Sequence, residues 1–223
     1  MLISEIFYSL QGEGSLTGIP SVFIRTAGCP LRCVWCDTPH AAAHAHGREL
    51  DIDEILFRLA PHPTRHCVIT GGEPLIAYDL ADLAATLRTR GYHITIETAG
   101  ILPPKDVACE LASLSPKLSH SRPADPAWIE RHERNRLQPQ VLRQWMERYD
   151  YQLKFVIKTR ADIAEIDDLL AQIALPATPE KILLMPEGAT HHNAAEIAAL
   201  CLERGYRYCD RLHIRLFGNV QGK

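Results

Sequence analysis

The sequence predicts an α/β protein whose mostly parallel sheet forms an open, partial barrel. Short β-rich runs alternate along the chain with helical patterns of about 10 to 15 residues, which is typical of strand–helix–strand units. About six such units fit into the 223 residues. A closed eight-stranded barrel typically needs ~250 residues. An open barrel therefore fits the chain length better.

The predicted strands are short runs rich in apolar and β-branched residues. The first, residues 21–26, leads directly into a loop that carries three cysteines. Later strands are predicted at residues 66–70, 93–98, 107–115, 151–158 and 181–185, with a last one at 213–217. Ligands collect at the carboxyl ends of parallel strands, so functional residues are expected in the loops that follow each run.

The predicted helices are segments in which apolar residues recur on one helical face. Two sets have the spacing i, i+3, i+4 and i+7, and a third set marks a further helix: Ile52, Ile55, Leu56 and Leu59; Leu80, Leu83, Ala84 and Leu87; and Ile163, Ile166, Leu170 and Ile173. One more helix is predicted at residues 193–204. Each of these helices would pack its apolar face on the sheet.

Residues 119–150 interrupt the alternation of strands and helices. A charged stretch there has Leu142, Trp145, Met146 and Tyr149 at helical spacing. It indicates an elaborated crossover between two strands, or a surface for a second subunit. Because the chain has no repeats, low-complexity tracts or linker, we predict a single domain that spans residues 1–223.

The composition excludes several classes of protein. Apolar residues make up 46% and charged residues 23% of the chain, and no apolar stretch approaches the ~18 residues that a membrane span requires. Residues 1–24 do not have the pattern of a signal peptide, so we expect a cytoplasmic protein. The 24 basic and 27 acidic residues give a net charge of −3, which makes nucleic acid an improbable partner.

Seven cysteines are present, an odd number that argues against a disulfide framework in a reducing compartment. Three of them, Cys29, Cys33 and Cys36, lie within eight residues of one another. The other four are scattered through apolar segments, where cysteine usually behaves as a small hydrophobic residue: Cys67, Cys109, Cys201 and Cys209. Only the first three cysteines therefore require a chemical explanation.

The spacing C-x3-C-x2-C of these three cysteines suits a metal centre on one loop. Three thiolates can hold a [4Fe-4S] cluster and leave the fourth iron without a protein ligand, since such clusters are normally held by four cysteines. The alternative is a closed zinc site, in which His40, His44 or His46 would supply the fourth ligand. Spacing alone leaves both interpretations open.

A second motif bears on this choice. Gly71-Gly72-Glu73-Pro74 ends a predicted strand downstream of the cysteine loop, and Trp35 precedes the last cysteine. Glycines let the backbone turn sharply and approach a ligand closely. Together, these features resemble the radical S-adenosylmethionine (SAM) family. The resemblance implies a partial (β/α)6 barrel, a [4Fe-4S] cluster on the three cysteines, and SAM bound to the free iron and cleaved to a 5′-deoxyadenosyl radical.

The amino-terminal part of the chain carries a closer resemblance. Residues 5–14, 18–25 and 36–38 read EIFYSLQGEG, GIPSVFIR and CDT, and this series is similar to the 7-carboxy-7-deazaguanine synthase family. The resemblance implies a lyase that converts 6-carboxy-5,6,7,8-tetrahydropterin to 7-carboxy-7-deazaguanine, by ring contraction with loss of ammonia, in the queuosine and deazapurine pathway. It also implies Mg²⁺, a homodimer and, by analogy, an electron donor of the flavodoxin or ferredoxin type.

Site residues follow from this resemblance, position by position. It implies that Leu10, Gln11, Gly12, Arg25 and Thr70 contact the substrate, that Thr38 binds Mg²⁺, and that Gly72, Glu73, Ser115, Pro116, Lys117, Met185, Pro186, Glu187 and Gly188 contact SAM. A planar guanidinium suits carboxylates and flat polar edges, and a hydroxyl suits Mg²⁺, which prefers oxygen ligands. Ala99 and Met185 stand where some family members have Asn and Gln, so contacts to the ribose are expected to differ.

Four charged residues are possible proton carriers for the later steps of the ring contraction: Glu13, Glu97, Lys117 and Lys154. A glycyl-radical activating enzyme is the main enzymatic alternative, because it shares the short cysteine spacing, although it would need a surface for a partner protein. A non-catalytic zinc-binding module is the alternative from another class.

Overall fold

The strands in the described part of the chain all belong to one nine-stranded sheet. The computed structural model describes residues 1–42, 47–188, 193–218 and 220–222. The strands are β1 (Leu2–Leu10), β2 (Pro20–Thr26), β3 (Arg48–Glu49), β4 (His66–Gly71), β5 (His93–Thr98), β6 (Leu111–Leu114), β7 (Tyr151–Ile157), β8 (Ile182–Pro186) and β9 (Arg207–Tyr208). Their order in the sheet is β3-β1-β2-β4-β5-β6-β7-β8-β9.

The sheet is parallel from β2 to β9 and has an antiparallel edge formed by β1 and β3. Its two edge strands, β3 and β9, do not pair with each other, so the barrel is open, which confirms the predicted fold class. In the register of β2 and β4, Thr26 lies opposite Gly71. The cysteine loop after β2 and the Gly-Gly turn after β4 therefore start side by side.

Helices connect the parallel strands. They are α1 (Pro39–Ala42), α2 (Ile52–Leu59), α3 (Leu80–Thr89), α4 (Pro126–Asn135), α5 (Pro139–Arg148), α6 (Asp162–Ile173), α7 (Ala194–Arg204) and α8 (Leu212–Phe217). The Asp51 side chain caps α2 by accepting the N–H of Glu54 at 2.8 Å, and Gly205 ends α7 in the left-handed region at φ 70°. The predicted helices at 52–59, 80–87, 163–173 and 193–204 are confirmed.

Alternate residues of the central strands serve two different environments. In β7, Leu153, Phe155 and Ile157 pack into the main apolar core with the helices, whereas Lys154 and Val156 line a cavity on the other face of the sheet. The other central strands follow the same rule, since side chains alternate between the two faces of a strand. The face of the sheet that lines the cavity thus includes polar side chains, whereas the face that packs against the helices is apolar.

Two predicted strands differ in the structure. Residues 213–217 form part of α8 instead of a strand. The N–H of Leu212 donates to the carbonyl oxygen of Gly12 at 2.9 Å, which carries this segment over the barrel interior and away from the sheet edge. Of residues 107–115, only Leu111–Leu114 pair in the sheet. The long strand β1 was not predicted, because as an antiparallel strand next to the edge it is mostly half-buried and lacks a continuous apolar run.

The predicted crossover at 119–150 consists of the two helices α4 and α5 between β6 and β7. Leu142, Trp145 and Met146 are buried on α5, as their spacing predicted. The indole N–H of Trp145 donates to the carbonyl oxygen of Leu102 at 2.9 Å. By contrast, the only buried residue of α4 is a histidine, His132. The two helices therefore have different roles: α5 completes the core, and α4 lies on top of it.

Candidate active site

A cavity of about 570 Å³ lies at the carboxyl ends of the parallel strands, within the range of roughly 300–1,000 Å³ that is usual for small-molecule sites. It brings together most residues that the sequence singled out. Its wall includes Leu10, Gln11, Gly12, Arg25, Cys29, Cys33, Cys36, Thr38, Thr70, Gly72, Ser115, Lys117 and Met185. Residues far apart in the chain thus meet because each follows, or ends, a neighbouring strand.

Five of the residues predicted to contact SAM are not among the described residues that line this cavity: Glu73, Pro116, Pro186, Glu187 and Gly188. Glu73 is fully buried. Its carboxylate accepts the Thr98 hydroxyl at 2.7 Å and the N–H groups of Leu75 and Ala99 at 3.2 and 3.0 Å. Burial raises the pKa of Glu73, and these hydrogen bonds oppose that rise. In this structure Glu73 fastens the turn after β4 to the end of β5.

The cysteine loop (residues 28–36) is the first of two chemically distinct regions of the cavity wall. Cys29, Cys33 and Cys36 are free, half-buried thiols. Leu31, Ala99 and their neighbours pack around the first two of these cysteines. Burial raises the pKa of Cys29 to about 12 and that of Cys33 to about 11. Bound iron would instead favour the thiolates, because ligand thiols are deprotonated on metal binding.

The Gly-Gly turn lies directly against the cysteine loop. The N–H of Glu73 donates to the carbonyl oxygen of Gly28 at 2.9 Å. A Cβ atom on Gly72 would collide with that same carbonyl oxygen and would lie 2.7 Å from the Cβ of Cys29. Only glycine therefore fits at position 72, which explains the residue type that the motif requires.

Trp35 joins the cysteine loop to the opposite wall. Its ring packs against Val156, Leu183, Met185 and Cys209. Its indole N–H donates to Nδ1 of His120 at 3.0 Å. Lys117 Nζ lies 5.5 Å from the centre of the same ring and donates to the Ser115 hydroxyl at 2.8 Å. The aromatic residue before the last cysteine is thus a packing anchor, and Lys117 places a cation beside it.

The second region is a charged cluster formed by Glu13, Glu97, Lys154 and Arg211. The Lys154 ammonium donates to Oε2 of Glu13, and Nε of Arg211 lies 3.5 Å from Oε1 of the same carboxylate. Lys154 is 5% and Arg211 4% exposed. The fourth member, Glu97, is connected through Gln11, whose Nε2 donates to Glu97 Oε1 at 3.1 Å. Two acids and two bases therefore share one shielded wall.

Neighbouring opposite charges hold Glu13 and Lys154 of this cluster in the ionised state. Burial alone would raise the pKa of Glu13, but Lys154 and Arg211 outweigh it and lower that pKa to about 2. Burial likewise favours neutral Lys154, yet Glu13 and Glu97 raise its pKa above the ordinary value. At neutral pH the pair is a buried carboxylate and ammonium, not two neutral groups.

Arg25 is held in one orientation at the mouth of β2. Its Nε donates to Glu5 Oε1 at 2.6 Å, and its guanidinium carbon lies 5.7 Å from the centre of the Phe7 ring. Phe7 in turn stacks on Phe23, with ring centres 4.8 Å apart. An aromatic pair and the Glu5 carboxylate thus support the guanidinium of Arg25, the residue that the sequence singled out.

Thr38 lies on the cavity wall next to the last cysteine, with its hydroxyl 4.0 Å from Cys36 Sγ. The neighbouring Asp37 carboxylate lies 3.8 Å from Nε of Arg211. A hydroxyl and a carboxylate in sequence supply the oxygen donors that Mg²⁺ prefers. These residues also connect the cysteine loop with the charged cluster.

Sequence reasoning missed Arg211, which organises several of the predicted residues. Its Nη1 donates to the carbonyl oxygens of Pro186 and Gly188 at 2.9 and 3.2 Å. The same side chain reaches Glu13 and Asp37. No motif surrounds Arg211 in the sequence, and its position after the two-residue strand β9 could not have been anticipated. It is one of several residues through which the carboxyl-terminal segment contacts the site.

The zinc alternative finds no support in the described part of the chain. There, no three His, Cys, Asp or Glu side chains are grouped closely enough to hold a single metal ion. His40 Nε2 lies 3.6 Å from Glu5 Oε1, and His44 and His46 lie outside the described residues.

Within the described residues, no helix is long and apolar enough to cross a bilayer.

Comparisons with known proteins agree with this geometry. Residues 23–121 match the model of the radical SAM superfamily. The chain is 41% identical to a 7-carboxy-7-deazaguanine synthase of Halobacterium salinarum, over 98% of this chain and 91% of that protein. The chain belongs to the 7-carboxy-7-deazaguanine synthase family. The family member of Rhodopirellula baltica is 43% identical over 100% of this chain and 88% of its own length.

A solved structure of the family has the same architecture. The crystal structure of QueE from Escherichia coli superposes with a TM-score of 0.72 at 29% identity, over 95% of this chain and 94% of that one. The chain is therefore a radical SAM enzyme with lyase activity, and its cofactors are a [4Fe-4S] cluster, SAM and Mg²⁺. This favours the main interpretation over the glycyl-radical activating enzyme and the zinc module.

The residues present suit these cofactors. Three free thiols on one loop provide three of the four ligands that such a cluster normally has. The glycine at position 72 keeps the wall beside Cys29 open to a close approach. Lys117 and Ser115 place a cation and a hydroxyl on the cavity wall, and Thr38 places a hydroxyl oxygen there, of the donor type that Mg²⁺ prefers.

Proposed function

We propose that this chain converts 6-carboxy-5,6,7,8-tetrahydropterin to 7-carboxy-7-deazaguanine by ring contraction with loss of ammonia. The names of its full-length relatives support this activity. The observation that carries it is the composition of one cavity wall, where a three-thiol loop meets a buried cluster of paired charges. A radical source alone would not need such a cluster, whereas a substrate rich in hydrogen-bonding groups does.

The substrate site consists, in this proposal, of Leu10, Gln11, Gly12, Arg25 and Thr70. Gln11 is 4% exposed and has its amide fixed at both ends. Its Nε2 donates to Glu97, and its Oε1 accepts the N–H of Glu13 at 3.1 Å. A fixed amide and a guanidinium held by Glu5 would bind the pterin edge and the carboxylate in one orientation.

The cluster and SAM, held by the residues named below, would supply the radical chemistry that abstraction of a hydrogen atom from the substrate requires. The protein's own residues position the pterin and keep water away. The SAM contacts in this proposal are Gly72, Ser115, Lys117 and Met185 on the wall, with Glu73, Pro116, Pro186, Glu187 and Gly188 supporting them from behind. Cys29, Cys33 and Cys36 are the proposed cluster ligands.

Among the four candidate proton carriers, the geometry favours Glu97. Glu13 and Lys154 hold each other in their charged forms, so Glu13 is a poor proton acceptor and Lys154 a poor proton donor. Lys117 is bonded to Ser115 beside Trp35. Glu97 uses Oε1 for Gln11, and we assign its Oε2 to hold and return a proton during the rearrangement. Glu97→Gln should therefore retain SAM binding and lower kcat by a factor of roughly 10²–10³.

Thr38 is the proposed protein ligand of Mg²⁺, which would orient the substrate carboxylate and stabilise developing charge. Thr38→Ala should weaken the dependence of turnover on magnesium, whereas Thr38→Ser, which keeps the hydroxyl, should preserve it. The measurement is turnover across a magnesium titration. An unchanged titration curve for Thr38→Ala would rule out this role.

The wider setting follows from the same proposal. The single domain of residues 1–223 would act in the cytoplasm as a homodimer, without nucleic-acid or membrane partners. A flavodoxin or ferredoxin would deliver the electron that the cluster needs. The product would enter the queuosine pathway of tRNA modification or another deazapurine route.

One assay tests the activity directly. The protein is reconstituted with iron and sulfide without oxygen and incubated with carboxytetrahydropterin, SAM, Mg²⁺ and dithionite. The expected result is a brown protein that forms 7-carboxy-7-deazaguanine, identified by mass, together with one ammonia per product. Cleavage of SAM with no deazapurine would overturn the proposed substrate and point to the glycyl-radical alternative. A colourless protein with one zinc per chain would overturn the radical chemistry itself.

A further inference from the structure

The crossover segment before α5 holds the middle of the cysteine loop. The backbone N–H of Arg32 donates to Nδ1 of His132 at 3.2 Å, and the N–H of Val34 donates to the carbonyl oxygen of Ser121 at 3.0 Å. Arg32 and Val34 flank Cys33 on either side. The indole of Trp35, described above, adds a third link to this segment. The conformation of the loop around Cys33 is therefore set from outside the loop.

His132 connects two of these links to each other. It is 0% exposed and is the only buried residue of α4. Its Nε2 lies 2.9 Å from the hydroxyl of Ser121. Because Nδ1 accepts the N–H of Arg32, the ring proton is on Nε2 and is donated to Ser121. One neutral imidazole therefore holds Arg32 with one nitrogen and the residue that binds Val34 with the other.

Other contacts of Arg32 act in the same direction. Its Nη1 donates to the carbonyl oxygens of Cys29 and Leu31, both at 2.7 Å. Its guanidinium carbon lies 4.0 Å from the centre of the Trp128 ring on α4. The side chain thus gathers the first half of the loop, while the backbone N–H of the same residue depends on His132. Loss of the imidazole would therefore free the backbone N–H of Arg32 without removing the contacts of its guanidinium.

We propose that His132 is a positioning residue for the iron–sulfur cluster. By accepting the N–H of Arg32 with a ring that Ser121 orients, it presets the loop so that Cys33 is presented next to Cys29 and Cys36 before iron binds. A preorganised loop releases a bound metal group less readily, because ligand orientation need not be re-established. This inference rests on the proposed ligation by the three cysteines, but it does not depend on the identity of the substrate.

Two substitutions separate the two bonds of the imidazole. In His132→Asn, the amide oxygen takes the place of Nδ1 and can still accept the N–H of Arg32. In His132→Gln, the amide nitrogen takes the place of Nε2, so the bond to Ser121 is kept and the bond to Arg32 is lost. His66→Asn, in a histidine at the start of β4 whose ring packs at a tilt against that of His93, is the matched control for the chemical change.

Cluster retention is the first measurement. The holoprotein is mixed with an iron chelator without oxygen, and the decay of the cluster absorbance is followed. His132→Gln should lose its cluster faster than wild type by about five-fold, the effect of one buried hydrogen bond, whereas His132→Asn should stay within about two-fold. The midpoint potential of the cluster, from an EPR-monitored redox titration, should move in His132→Gln and not in His66→Asn. Equal release rates for the Asn and Gln variants would overturn the proposal.

Hydrogen exchange of the apoprotein gives a second readout that needs neither cluster nor activity. The amide of Arg32 should exchange faster in His132→Gln, and return towards wild type in His132→Asn. If the buried substitutions prevent isolation of folded protein, Ser121→Ala replaces them, since it removes only the hydroxyl partner of Nε2. There the amide of Val34 should exchange faster while that of Arg32 does not change. Unchanged exchange at both amides would overturn the proposal.

Discussion

The cysteine loop and the charged cluster belong to the same cavity but are stabilised by different interactions. Backbone hydrogen bonds and apolar packing hold the thiols of the loop in place. The cluster consists of Glu13, Glu97, Lys154 and Arg211, and in it the neighbouring opposite charges keep Glu13 and Lys154 ionised. The two regions meet where Asp37 of the loop connection approaches Arg211.

This difference reflects the chemistry that each region must perform. A redox cluster needs ligands fixed in space and shielded from water, so hydrogen bonds from a second layer of residues suffice. A polar substrate needs fixed charges and dipoles, and these keep their charge in a buried place only when they are paired. Substitutions in the loop should therefore affect the cofactor, and substitutions in the cluster should affect stability and substrate binding.

The largest expected effect concerns the cofactor alone. Cys33→Ala removes one thiol of the loop, and we expect loss of the cluster absorbance and of SAM cleavage to the level of the buffer control. The apoprotein should remain folded, because Cys33 is only half-buried. Cys201→Ala, a buried cysteine on α7, should keep its cluster. A Cys33→Ala protein with a full complement of four irons would contradict the ligand assignment.

The fold was predictable because its signals are local. The apolar sets on α2, α3 and α6 reflect helical periodicity, and the strands between them are short runs rich in apolar and β-branched residues. The segment 213–217 shows where this reasoning fails. Its alternating residues suit a strand, but a contact between Leu212 and Gly12, two hundred residues apart, decides its conformation.

The site was predictable where a motif had to be contiguous. Cysteine spacing and the Gly-Gly turn are constrained along the chain, so a sequence displays them. Arg211 and His132 act through contacts made across the fold, and neither stands in a recognisable pattern. Glu73 shows the reverse case: its motif is visible, but its carboxylate is directed into the protein and away from the cavity.

The second prediction tests the charged cluster by removing one partner of its central pair. Glu13→Gln leaves the Lys154 ammonium buried without its carboxylate, and we expect the apoprotein to lose about 3 kcal/mol of unfolding free energy in urea at pH 7. The double variant Glu13→Gln with Lys154→Met removes both charges and should recover most of that loss. Additive losses in the double variant would show that the pair is not coupled.

The same pair predicts a dependence on acid. The pKa of Glu13 is lowered from 4.5 to about 2 in the folded protein, so its contribution to stability is present above pH 4.5 and is lost as the pH falls towards 2. Wild-type apoprotein should lose stability over this window more steeply than Glu13→Gln. Parallel acid-unfolding curves, followed by circular dichroism, would contradict the assigned ionisation of Glu13.

The third prediction compares two glycines, Gly72 packed against the cysteine loop and Gly12 next to Glu13 of the charged cluster. A Cβ on Gly72 would meet backbone atoms of Gly28, which cannot move without displacing the cysteine loop, so Gly72→Ala should destabilise the apoprotein by about 1–3 kcal/mol. A Cβ on Gly12 would meet only the side chain of His213, on the short helix α8. Gly12→Ala should therefore have the smaller effect on Tm, and the opposite order would show that α8 is the more rigid neighbour.

The smallest expected effect lies at Arg25, where only the shape of a cation changes. Lysine keeps the charge near Glu5 but cannot keep the Glu5 contact and also present a planar edge to the cavity. Arg25→Lys should raise KM for the pterin roughly five- to ten-fold, with kcat and the cluster spectrum unchanged, because only binding common to ground and transition states is lost. Arg65→Lys, at an exposed arginine beside Tyr92, is the control. A fall in kcat without a change in KM would instead show that Arg25 acts in the chemical step and not in substrate binding alone.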